Sequence, residues 1–330
     1  MAAVTLLGVV AFSPAAQAAP EQKDAGPGSI GIQLLEGPSN RQNDPRAHRY
    51  IVDHLTPGTT VRRKVAVVNK TRQRQIIQVY PAAASLAKKQ FVFGADRAAN
   101  ELTSWVKLDK SRLSLAAGDE AVVKATIAVP AAASKGERYA VIWASVAAPA
   151  GPSGNIGQVH RVGIRVYLDI GPGGEPRSNF TIDQLVPARS TAGDPSLAVN
   201  VTNTGGRALD MSGSANLSDG PAGQRAGPFP ATTTATLAPG EAGTIVVQFP
   251  RELPNGPWKV VVALKSGLVS HSLTAQITFP EPGIAGRPAT AMTWMSSPWT
   301  LSGGALAIGV IILAGLALVA RRSRRSSLAG

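Results

Sequence analysis

The 330-residue chain contains no cysteine. This excludes a disulfide-stapled scaffold, a zinc-thiolate site, an iron–sulfur cluster and a cysteine nucleophile. Aromatic residues make up only 5% and charged residues 16%, whereas glycine (34) and proline (25) are plentiful. Sparse charge with many helix breakers argues against a coiled coil or a long helical bundle. Chemical signatures are scarce too: there is no Gly-x-Ser-x-Gly elbow, zinc-protease helix, phosphate loop or calcium loop. Of the four histidines, only His48 and His54 lie near one another, with Asp44 and Asp53 as neighbouring carboxylates. No metal, cofactor or catalytic residue is expected. Glycan sequons at Asn69, Asn179, Asn200 and Asn216 read as chance matches. The chain reads as a non-enzyme.

Negative charge is in deficit. Lys and Arg number 33 against 20 Asp and Glu, a net +13. A strongly basic chain raises nucleic acid as a partner, and the distribution of charge answers against it. Residues 20–170 carry 21 basic and 12 acidic side chains, residues 171–298 carry eight of each, and residues 299–330 carry four basic and none acidic. The excess therefore has two separate origins.

One origin is the C-terminus. Leu301 to Ala320 is almost wholly apolar, and Trp294 and Trp299 precede or open it. At ~1.5 Å per residue such a run spans about 30 Å, the thickness of a bilayer core. Arg321, Arg322, Arg324 and Arg325 follow, and positive residues stay cytoplasmic. The expectation is a single-pass helix over 299–320 in membrane lipid, a cytoplasmic tail over 321–330, and residues 20–298 outside. The N-terminus fits that topology. An apolar run ends near Phe12, and Ala16 and Ala18 stand at −3 and −1 of a cleavage site, predicting a signal peptide over 1–18. The run departs from the usual pattern in having no preceding Lys or Arg.

Between these segments the periodicity is that of strands. Val61 to Val68, Val122 to Val129, Tyr139 to Val146 and Val159 to Ile170 alternate or run apolar for five to ten or so residues, with Pro, Gly and Asn between them. Ala82 to Lys89 could form a turn or two of helix. A repeat divides the region. Leu115-Ala-Ala-Gly118-Asp119 leads through a strand to Val129-Pro130, and Leu237-Ala-Pro-Gly240-Glu241 leads through a strand to Phe249-Pro250. Earlier in each half a strand ends at an asparagine turn, Asn69 and Asn203. Glycine at 118 and 240 suits a turn needing positive φ. The fold class is therefore all-β, with two immunoglobulin-like sandwiches over 29–170 and 171–282. A flexible segment over 19–28 precedes them and a stalk over 283–298 follows.

Ser104-Trp105-Val106-Lys107-Leu108, Leu113 to Gly118, Ile127-Ala-Val-Pro130 and Gly136-Glu137-Arg138-Tyr139, with Leu55-Thr-Pro57-Gly58 upstream, resemble the peptidoglycan-binding domain of WxL-interacting proteins. The resemblance spans about residues 29–170. It implies a cell-surface protein that touches peptidoglycan and a surface protein partner. The cations Arg62, Lys64, Lys70, Arg72, Arg74, Lys88 and Lys89 then form a candidate contact for an anionic wall polymer. A second reading makes them solvated strand faces that prevent edge pairing. Trp105, Trp143 and Trp258 read as core, with stacking on sugars as the alternative. The expected function is non-enzymatic wall binding through the first sandwich. The alternative is a scaffold acting on a protein partner through the second.

Overall fold

The computed structural model describes residues 30–148, 158–232 and 235–290. The expected signal peptide, flexible N-terminus, transmembrane helix and arginine tail lie outside them, as does the end of the stalk. Among the described residues no helix is long and apolar enough to cross a membrane.

The first half comprises β1 (Ile30–Leu34), β2 (Ile51–Leu55), β3 (Thr60–Asn69), β4 (Gln75–Ala87), β5 (Gln90–Phe93), α1 (Glu101–Trp105), β6 (Val106–Leu108), β7 (Arg112–Leu115), β8 (Glu120–Ala128), β9 (Gly136–Ala148) and β10 (Gln158–Ile170). They form a sheet in the order β1-β3-β8-β6 and a second in the order β2-β10-β9-β4-β5, with β7 beside β4. Pairing is antiparallel except where β2 runs parallel to the end of β10, Ile51 opposite Val166 and Leu55 opposite Ile170. Alternation explains the packing. Val65, Val67, Val123, Ile127, Ile142, Ile164, Val166 and Leu168 turn inward from both sheets and are buried. Each such side chain contributes about 1.5–3 kcal/mol.

The second half comprises β11 (Phe180–Arg189), β12 (Pro195–Asn203), β13 (Leu209–Ser218), β14 (Ala226–Pro230), β15 (Ala235–Leu237), β16 (Ala242–Gln248), β17 (Trp258–Ser266) and β18 (Val269–Ile277). Here the sheets are β11-β12-β16 and β14-β13-β17-β18, with β15 pairing β13. Trp258, Phe180, Leu197, Val199, Ile245 and Val260 fill the space between. The protein is all-β, built from two sandwiches.

The repeat has a physical basis. Asn69 and Asn203 are fully buried. Each accepts, through its own backbone carbonyl, the N–H of a later turn glycine, Gly118 at 2.8 Å and Gly240 at 3.0 Å. Those glycines have φ of +80° and +77°, a region that side chains disfavour. One asparagine thus pins a strand end to a turn in each half.

Local expectations differ from the structure at three places. Residues 82–87, expected as helix, continue β4, because Ala82 and Ala84 bury on alternate positions. The only α-helix among the described residues is α1, where Asn100 and Thr103 form a reciprocal cap. Asn69-Lys70-Thr71-Arg72-Gln73-Arg74, a polar stretch after an alternating run, reads in sequence as a hairpin tip carrying three cations. Residues 69–74 instead carry the chain from one sheet to the other, since β3 and β4 do not pair. Part of the expected stalk lies along β11, with Gly283, Gly286 and Ala289 donating to the carbonyls of Arg189, Pro187 and Leu185.

Candidate functional site

The two sandwiches meet over a junction built from an apolar cluster and a ring of charges. Val52, Ala84, Phe91, Tyr167 and Ala208 pack together from both halves. Arg207, in the turn between β12 and β13, is 1% exposed. Its guanidinium donates to Glu137 at 2.8 Å and to Glu175, and reaches the carbonyls of Asp53 and Tyr167 at 3.4 Å. Glu137 also accepts from the Ala208 N–H at 2.7 Å and the Tyr139 hydroxyl at 2.9 Å. Glu175, in the segment joining the sandwiches, accepts from Arg41 as well. The Asn203 side chain places Arg207, donating to the Arg207 carbonyl at 2.8 Å. Every buried charge in the ring has an opposite partner, which such a location requires.

Beside this ring lies a cleft of about 500 Å³ between the sandwiches. Arg46, Arg49, Arg165 and Lys265 line it, against one carboxylate, Asp210. Tyr50 and Phe91 supply an aromatic wall, and the Arg165 guanidinium lies 5.4 Å and 4.8 Å from their centroids. Asp210 is heavily engaged. One of its oxygens accepts from the hydroxyls of Tyr167 at 2.9 Å and Thr236 at 2.8 Å and meets Arg165 at 3.5 Å, and the other faces Arg46 at 2.9 Å.

The second feature is the edge of β10. β9 pairs with the strand along its whole length, but on the other side β2 covers only Val166 to Ile170. Among the described residues, no strand is hydrogen-bonded to the stretch from Val159 to Arg165 on that side, and β1 of the other sheet packs near β10. Ile164 and Val162 turn into the core, while Val159 is 64% exposed. This free edge runs into the cleft at Arg165.

The expected polymer contact does not form one surface. Arg62 and Lys64 are exposed on β3, where Lys64 pairs with Glu36 at 2.6 Å and stands opposite Lys124. The Lys70 side chain lies over Gly31 of neighbouring β1. Arg72 and Arg74 sit on the crossing between sheets. Lys88 and Lys89 occupy the turn between β4 and β5, and the Lys89 carbonyl accepts from the Thr236 N–H of the second sandwich. Three of the seven thus sit on or beside the four-stranded sheet, and Lys89 belongs to the junction. Trp105, Trp143 and Trp258 are buried at 7%, 6% and 1% exposure, as the core reading expects. His54 bonds Asp169 at 2.6 Å and His48 the Gln42 carbonyl at 2.7 Å. Among the described residues no group of three side chains suits a metal.

Arg207, Glu137, Glu175, Arg46, Arg165 and Asp210 were not singled out by sequence. One signal was available. Four residues after each repeat asparagine stand Gln73 and Arg207, whose carbonyls both accept from that asparagine. A charge replaces a neutral residue at equivalent positions.

Burial pushes the Tyr139 and Tyr167 phenols well above their usual range, and the facing carboxylates of Glu137 and Asp210 add to the shift. Both tyrosines should stay un-ionised in the folded protein well beyond pH ~10, the ordinary tyrosine value. A folded pKa above the unfolded one stabilises fully below that unfolded value and is lost as pH rises through the folded one. Alkaline ultraviolet titration should show the Tyr139 and Tyr167 phenols ionising only on unfolding. Ionisation of Tyr139 and Tyr167 while the fold persists, read against Y139F and Y167F, would count against the junction as described.

No known family profile matches the chain, and no curated protein matches it. Solved structures do. The class 5 fimbriae chaperone CfaA is 12% identical, with 74% of this chain and 98% of that chain covered at a TM-score of 0.36. A chain from the complex of the Salmonella enterica SafA pilin with the SafB chaperone is 9% identical, covering 74% and 96% at 0.40. The E. coli chaperone DraB is 11% identical, covering 76% and 98% at 0.39. The all-β, two-sandwich architecture itself rests on the sheets described above.

These findings correct the expected function. The seven cations do not converge on one surface: Arg62 and Lys64 lie on β3, and Lys89 lies at the junction. Peptidoglycan or wall-polymer binding by the first sandwich is not sustained.

Proposed function

We propose that the protein is a non-catalytic module that takes an extended segment of a partner protein by strand addition along the free edge of β10. One observation carries this reading: among the described residues, seven consecutive residues, Val159 to Arg165, are hydrogen-bonded to a strand on one side only. An unpaired edge offers a row of backbone donors and acceptors to any extended chain. Proteins usually cover or shorten such an edge, and β2 does so only for the last five residues of β10. Arg161 and Arg165 along the edge favour a segment bearing acidic groups.

The expected signal peptide over 1–18 and helix over 299–320 would hold both sandwiches outside the membrane, with the arginine tail inside. Kinship with WxL-interacting proteins belongs to the same proposal and rests on the Ser104 to Tyr139 motifs. The test is photo-crosslinking from position 159 of the full chain on intact cells, with position 122 on the opposite sheet as control. A polypeptide adduct from 159 and none from 122 is the expected result. Equal yield at both positions, or no polypeptide adduct at 159, would overturn strand addition.

A further inference from the structure

We propose that the outer face of the larger sheet in the first sandwich docks an acidic protein surface, gripped by Arg97, Arg112 and Arg161 around a tryptophan–tyrosine centre. Alternation sets what this face shows. Leu113, Ile77, Val79, Ile142 and Ile164 turn into the core, so their sequence neighbours on β7, β4, β9 and β10 turn outward. Register then aligns those neighbours. Arg112, Gln78, Ser145 and Arg161 stand opposite one another in one row. At ~4.8 Å per strand the backbones of the two arginines lie about 14 Å apart. The next row is Tyr80, Trp143 and Gly163. A Cβ on Gly163 would meet the Trp143 ring at 2.6 Å, so the glycine is what lets the indole lie across β10.

Charge is the first argument for this occupant. The outward positions of these four strands carry no Asp or Glu. Arg97, Arg112 and Arg161 are exposed and have no ion-pair partner among the described residues. Arg97 lies over the Tyr80 ring at 4.0 Å and Arg161 over the Trp143 ring at 4.5 Å. A stacked guanidinium keeps its in-plane N–H fork for carboxylates. The second argument is an unfilled donor. Trp143 is 6% exposed, and its Nε1–H is buried without a partner. Buried indole donors ordinarily find an acceptor, and a docked chain would bring one. The third is apolar surface at one end of the same face, where Ile76 is 48% and Val159 64% exposed. Trp, Tyr and Arg are the residues that anchor protein interfaces. A lipid headgroup would draw on the cations alone, so the combination favours a protein.

This contact runs through side chains on the face of the sheet, whereas strand addition runs through the backbone at its edge. The two are therefore separable. A photo-reactive residue at position 78 of the full chain, between Arg112 and Arg161, would be activated on intact cells, with position 122 on the other sheet as control. The expected result is a polypeptide adduct from 78 and none from 122, joined at a segment that mass spectrometry shows to be rich in Asp and Glu. Arg112 is exposed and makes no side-chain bond among the described residues, so R112E should melt as the parent does. It should lower the yield about tenfold or more, as charge reversal in a complementary interface does. Replacing the joined acidic residue of the partner with lysine should restore the adduct to R112E. The proposal is overturned by no polypeptide adduct from 78, by adducts with lipid only, or by equal yield from 122. It is equally overturned if R112E crosslinks unchanged or the charge swap restores nothing. An adduct from 159 without one from 78 would leave strand addition standing and remove this face, and the reverse result would do the opposite.

Discussion

Replacing Arg207 with methionine should cost the folded protein about 3–5 kcal/mol, the usual penalty for removing one partner from a buried ionic group. The loss comes less from the bonds removed than from what they leave. Glu137 has a side chain only 4% exposed and Glu175 one 19% exposed, and both point at the vacated position. Chemical denaturation monitored by tryptophan fluorescence would read the change. Because Arg207 reaches into the first sandwich from the second, its loss should also separate the unfolding of the halves into two steps. Neutralising the stranded charges in R207M/E137Q/E175Q should recover part of the stability. A loss below about 1 kcal/mol, the range of exposed ion pairs, would show that the ring does not hold the junction.

The two sandwiches were legible because alternation and turn residues are local signals. Val61 to Val68 and Val159 to Ile170 announce half-buried strands, and the paired Leu-x-x-Gly turns announce that one arrangement occurs twice. Residues 82–87 were misread for the opposite reason. Alanine-rich stretches favour helix locally, and only the pairing of β4 with β5 and β9 decides otherwise. The junction was illegible because it depends on contacts far apart in sequence. Arg207 meets Glu137 across 70 positions, and Arg46 meets the Ala208 carbonyl across 162. A charge count shows the second half to be neutral overall but not that its Arg207 and Asp210 are spent on the first half. The cluster of cations near 62–74 misled in a related way. Neighbours in sequence on a strand alternate between faces, so Arg63 turns to Asp53 at 2.5 Å while Lys64 turns to Glu36.

Asn203→Leu and Asn69→Leu should each destabilise by about 3 kcal/mol, two or three buried hydrogen bonds at roughly 1 kcal/mol apiece plus the carbonyls left unsatisfied. Asn69 donates to the carbonyls of Gln73, Leu115 and Ala116 at 2.8, 3.0 and 2.9 Å and accepts from the Thr71 N–H. Asn203 donates to those of Arg207 and Leu237 at 2.8 and 3.0 Å and accepts from the Gly205 N–H. The two latches differ in what they hold. Asn69 fixes a turn within the first sandwich, whereas Asn203 fixes the turn that presents Arg207 to the junction. Double-mutant cycles measured by denaturation should separate these roles. N69L and R207M should add to within about 0.5 kcal/mol, as distant sites do. N203L and R207M should cost less together than the sum of their separate effects by about 1 kcal/mol or more, because either change alone already disturbs the same ring. Additivity in both cycles would mean that the repeat asparagine of the second sandwich supports only its own turn and plays no part in joining the halves.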